Sequence, residues 1–98
     1  MINKRKIYTG TPGVGEVIPF RIKDGGAVFF EGTAVFSLAW LTDEYGQNTN
    51  IGSFVDGDWE EHDPVISLGI SPNYYNLNKG MFGLKCTTSA ATTIYIEE

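Results

Sequence analysis

The end of the chain carries its plainest hydrophobic pattern. Across Met81–Thr87, the residues Phe82, Leu84 and Cys86 fall on one face; across Ala91–Glu97, Ile94 and Ile96 oppose Thr93 and Tyr95. A two-residue period sends alternate side chains to opposite sides of an extended backbone, so both segments predict half-buried strands. Thr88-Ser89-Ala90 turns the chain between them, which predicts a closing hairpin. Upstream, Glu16–Ile22 sets Val17 against Ile18, Phe20 and Ile22. Pro19 lies inside that segment and has no N–H to give a ladder, so this strand belongs at a sheet edge or carries a bulge. Lys23-Asp24-Gly25-Gly26 predicts a hairpin turn, with Ala27–Glu31 as the return strand.

Thr33–Leu41 differs. Ala34, Phe36, Leu38 and Trp40 share one face, and Thr33, Val35, Ser37, Ala39 and Leu41 share the other. Both faces are largely apolar, which predicts a central strand covered on both sides. A short helix is the rival reading, and the β-branched and aromatic content favours the strand. Lys4–Tyr8, Ile51–Val55 and Val65–Ile70 read as further short strands. Loops are predicted at Thr9–Gly15, Thr42–Asn50, Asp56–Pro64 and Tyr74–Gly80, with a turn beginning at Ser71-Pro72-Asn73. About eight short strands with no long helix predict an all-β fold, an antiparallel β-sandwich or jelly roll.

Composition supports that pattern. Val, Ile, Thr and the aromatic residues together make 37 of 98 residues, against five Ala and five Leu. The length bounds the chain to a single domain, 1–98. No apolar run approaches a membrane span, and no apolar stretch follows the basic start, as a signal peptide requires. Synthesis in the cytoplasm and use without Sec export or a membrane is therefore expected. The net charge of −5 argues against direct nucleic-acid binding, which calls for a basic surface. That charge is local. Residues 1–49 carry five basic and five acidic side chains, whereas residues 50–98 carry two and seven.

Five of those seven acids lie in Asp56–Asp63. Carboxylates this dense could hold calcium, but the spacing misses the EF-hand pattern, and a solvated acidic loop with Asp56-Gly57 serving a turn is the favoured reading. His62 beside Asp63 has no nucleophile elbow to serve. Cys86, the sole cysteine, excludes an intrachain disulfide and reads as a small core residue. Gly10–Gly15 lacks the Lys and the following helix of a phosphate loop. No catalytic residue, metal or cofactor is expected. Trp59, Tyr74 and Tyr75, read as loop aromatics, are candidates for stacking on a carbohydrate ring, for covering the ends of the sandwich, or for meeting a neighbouring subunit.

One resemblance spans about Asp24–Glu98. The run Asp24-Gly25-Gly26-Ala27-Val28-Phe29-Phe30-Glu31-Gly32-Thr33-Ala34-Val35-Phe36-Ser37-Leu38 resembles the opening of many small bacteriophage virion proteins. Asp56-Gly57-Asp58-Trp59 resembles their Asp-Gly turn before Trp, placed later than usual, and Gly83–Ile96 resembles their closing hairpin. The resemblance implies a non-enzymatic virion part, of the capsid decoration (cement) type, that assembles in the host cytoplasm and binds capsid or other virion proteins. The apolar excess of Thr33–Leu41 fits burial by further copies in a homo-oligomer. Lys4, Arg5 and Lys6, in the arm Met1–Lys6, would lie against an acidic capsid surface or form a flexible tail. A small carbohydrate- or receptor-binding β-sandwich module is the alternative.

Overall fold

The computed structural model describes residues 4–41, 59–61 and 64–98. Among these residues the chain forms strands and no helix: β1 (Lys4–Gly10), β2 (Val17–Ile22), β3 (Gly26–Gly32), β4 (Val35–Leu41), β5 (Trp59–Glu61), β6 (Ser67–Leu68), β7 (Tyr74–Leu77), β8 (Gly80–Thr88) and β9 (Thr92–Glu97). Two antiparallel sheets result. The first runs β1-β9-β3-β7; the second runs β2-β8-β4, with β5 and β6 both pairing along the far side of β4. Every step from β1 to β4, and every step from β6 to β9, passes from one sheet to the other. Among the described strands, only β4, β5 and β6 follow one another within a sheet. That winding is a jelly roll, and the all-β sandwich expected from the pattern is the fold.

The two faces that meet are the ones the alternation marks. Ile18, Phe20 and Ile22 of β2, Val28 and Phe30 of β3, Leu84 and Cys86 of β8, and Ile94 and Ile96 of β9 are all buried. They belong to one cluster, joined by Phe36 and Leu38 of β4 and by Leu68 of β6. Among the described residues β2 pairs only with β8, which sets Pro19 on an edge strand. Thr33–Leu41 yields a strand rather than a helix. β4 is interior, and Ser37 and Ala39 on its second face are as buried as Phe36 and Leu38 on its first.

Several local expectations are overturned. β2 and β3 are not a hairpin: Ile22 pairs with Gly80 of β8, while Ala27 pairs with Glu97 of β9. The closing segments are not a hairpin either, because β8 and β9 lie in opposite sheets. A turn-forming sequence between two alternating segments serves equally for a hairpin and for a crossing between sheets. Tyr74–Leu77 is a strand, β7, where a loop is expected. Trp59–Glu61, inside the expected acidic loop, is strand β5 on β4. Val65–Ile70 contributes only the two residues of β6. The expected strand Lys4–Tyr8, by contrast, is present and runs on to Gly10 as β1. The expected strand Ile51–Val55 lies outside the described residues.

Glycine makes one of the crossings possible. Gly32 ends β3 with φ +127°, a region that residues with a side chain avoid. A Cβ there would collide with the carbonyl oxygen of Ala91, just before β9. Thr33 N–H donates to that same carbonyl at 3.2 Å as the chain leaves for the second sheet.

Candidate binding face

The outer face of the first sheet gathers the residues with the most chemistry. Register sets Lys6 opposite Tyr95, Tyr95 opposite Phe29, and Phe29 opposite Tyr74. Directly opposed residues share a face, so one row crosses all four strands. Ring centroids are 6.1 Å apart for Phe29 and Tyr95 and 6.4 Å apart for Phe29 and Tyr74, both tilted pairs within aromatic contact range. The Lys4 ammonium lies 4.3 Å from the Phe29 centroid and 4.4 Å from the Tyr95 centroid, a double cation–π contact. Tyr74 is exposed, and Phe29 and Tyr95 are half-buried beside it.

The adjacent row is polar. Thr9, Thr93 and Glu31 are opposed across β1, β9 and β3. The hydroxyls of Thr9 and Thr93 are hydrogen-bonded at 3.1 Å. The Tyr95 phenol donates to the Glu31 carboxylate; that bond, followed by partial desolvation, holds the phenol above the ordinary tyrosine value. Two strand residues separate this row from the aromatic one, which is about 7 Å. A shallow, open groove of about 350 Å³ runs over Thr9, Thr11, Glu31 and Thr93.

Of the residues singled out in the sequence, Lys4, Arg5 and Lys6 line the β1 edge of this sheet. Arg5 makes an exposed ion pair with Glu98 at 3.8 Å. Tyr74 joins the aromatic row. Tyr75, next to it on β7, points the other way and packs against the core. Tyr74 and Tyr75 therefore face opposite ways; Trp59 is on β5 of the second sheet, and its side chain lies outside the described residues. So do His62, Asp63 and Asp56–Asp58. Among the described residues no group of three or more His, Cys, Asp or Glu side chains is placed to hold a metal ion, and no helix is long and apolar enough to cross a membrane.

Cys86 is buried, as its alternation with Leu84 and Phe82 predicts. Burial first, then the nearby Glu16 carboxylate, pushes its thiol above the ordinary value. The glycine-rich segment is the loop expected of it, and it docks on the same place. Gly15 N–H donates to the Cys86 carbonyl at 2.8 Å, and Cys86 N–H donates to the Glu16 carbonyl at 2.9 Å. The Cys86 thiol and the Ser89 hydroxyl both donate to the Pro12 carbonyl, at 3.7 and 2.6 Å.

Phe29, Tyr95, Glu31, Thr9 and Thr93 escape a reading by motif. Their outward orientation follows from the alternation, but their meeting depends on the pairing of β1, β9 and β3, which are far apart in sequence.

No protein family model matches this chain, and no curated protein or solved structure matches it either. Jelly rolls serve capsids, lectins and enzymes alike, so the winding assigns architecture and leaves the role to the surface.

Proposed function

We propose that this protein is a non-enzymatic structural component of a bacteriophage virion, a capsid decoration protein that binds the head shell and bridges its subunits. The observation that carries this reading is the basic edge of the first sheet. Lys4, Arg5 and Lys6 stand on β1, which pairs with β9 at the end of the sheet. A charged edge opposes pairing with another copy of itself and favours an acidic partner. The resemblance over Asp24–Glu98 points to the same role.

The test is co-sedimentation with emptied shells of the virus that encodes the chain, combined with light scattering on the free protein. Binding to the shell should fall as salt is raised and should fall further in Lys6→Glu. A strict monomer that never sediments with shells would sink the proposal.

A further inference from the structure

We propose that the outer face of the first sheet is a saccharide site. In it, Glu31, Thr9 and Thr93 hydrogen-bond sugar hydroxyls, and the Tyr95–Phe29–Tyr74 row stacks against the apolar face of a ring. This site differs from the aromatics singled out in the sequence: of those it uses Tyr74 alone, since Tyr75 packs against the core. It does not rest on the virion reading: its hydrogen-bonding and stacking residues lie on the face of the sheet, and of the basic edge only Lys4 reaches over it.

The argument is one of complementarity. A sugar ring presents hydroxyls around its rim and C–H groups on its faces. The groove offers hydroxyls from Thr9, Thr11 and Thr93 beside a single carboxylate, Glu31. Carboxylate and hydroxyl oxygens accept, and the threonine hydroxyls also donate, so both halves of a sugar hydroxyl are met. Within the groove itself the one charge is the Glu31 carboxylate, which disfavours a phosphate there. A single carboxylate supplies too few oxygens for calcium, which takes six to eight. The open shape suits a ligand that stays partly in water, unlike the enclosed pockets of apolar molecules.

Tyr95 joins the two halves of the site. Its ring stands in the aromatic row, 6.1 Å from Phe29, and its phenol is bonded to Glu31 in the polar row. The rows are about 7 Å apart, within the span of a disaccharide. Lys4, now over Phe29 and Tyr95, is a flexible cation that a stacked ring displaces toward solvent or recruits as a hydroxyl donor.

The test begins with an array of neutral glycans probed with the whole protein. It continues with titration of the isotope-labelled chain by maltose, cellobiose and N,N′-diacetylchitobiose, read at the backbone amides. The expected result is an array signal, with shifts concentrated at Thr9, Glu31, Thr93 and Tyr95. Binding should weaken about tenfold or more in Glu31→Gln, the loss of one charge-assisted hydrogen bond. Tyr74→Ala, at an exposed edge position, should weaken it without unfolding the chain. Salt at about 0.5 M should leave sugar binding intact while releasing the protein from capsid shells, so the two proposals fail separately. Silence across the array, or a signal that neither variant changes, overturns the site. Concentration-dependent shifts of the same amides without sugar would assign the face to a second copy of the chain and overturn it too.

Discussion

Phe30 and Phe36 stack with ring centroids 5.6 Å apart and planes at 26°, although they belong to successive strands in opposite sheets. Both are essentially inaccessible to solvent. The pair ties the inner faces of β3 and β4 together across the core, close to the crossing at Gly32. Phe36→Ala should therefore cost about 3–5 kcal/mol, the transfer energy of the ring plus an unfilled cavity. Phe36→Leu should cost less, since it refills part of the volume. Urea unfolding followed by tryptophan fluorescence measures both. A loss near 1 kcal/mol for the alanine variant would mean that the two sheets do not depend on this contact.

The same pair shows what the sequence discloses and what it withholds. Alternation identified the inward side chains of β2, β8 and β9 because burial on one face imposes a two-residue period whatever the neighbour. It did not reveal which strands pair. Lys23–Gly26 and Thr88–Ala90 carry turn chemistry, and the chain uses both to change sheets instead of folding back. β7 was hidden by Pro72 and the asparagines around it, yet its own alternation is present: Tyr74 and Asn76 are exposed, and Tyr75 and Leu77 are half-buried. Three-residue β5 is too short to show a period, and its extended form comes from pairing with β4. The proposed saccharide face escaped for the same reason, because Glu31 and Thr9 meet only through β9.

Lys4 makes a second contact open to measurement. Its ammonium serves two rings on neighbouring strands and so fastens the start of β1 to the sheet. Lys4→Ala should lower stability by about 0.5–1 kcal/mol, the range of an exposed cation–π contact. Lys4→Arg should retain most of it. Amide exchange along Lys4–Lys6 should quicken in the alanine variant while the core strands keep their protection. Equal exchange in the two variants would remove the cation from the account.

Cys86 should be inert in the folded chain. Its thiol is buried, and its raised pKa keeps it protonated near neutral pH, so a disulfide reagent finds no thiolate. Reaction should begin only when urea opens the core, with the unfolding midpoint as its midpoint. The sign of the pH effect follows. Once the pH exceeds the ordinary thiol value, the unfolded chain has lost the proton and the folded chain retains it. Stability from this group is thus whole below the ordinary value and is lost as pH rises toward the raised one. In Cys86→Ala that part of the alkaline decline should vanish. Rapid labelling of the native protein at neutral pH would contradict the burial.

Two glycines should respond oppositely to the same substitution. At Gly32 the backbone has φ +127°, and a Cβ would run into the Ala91 carbonyl, a backbone atom fixed by the start of β9. Gly32→Ala must strain the crossing from β3 to β4 or push β9 aside, at a cost of roughly 1–3 kcal/mol from the backbone alone. At Gly13, in the loop before β2, nothing lies within 4 Å of the new Cβ and φ is not in the positive region. Gly13→Ala should then leave stability unchanged or raise it by about 0.4–1 kcal/mol, because the unfolded chain loses freedom. Thermal unfolding of the two variants beside the parent chain separates the cases. If both fell equally, loss of loop flexibility, and not the tight approach of Ala91, would be the cause, and Gly32 would lose its place as the residue that makes the crossing between sheets possible.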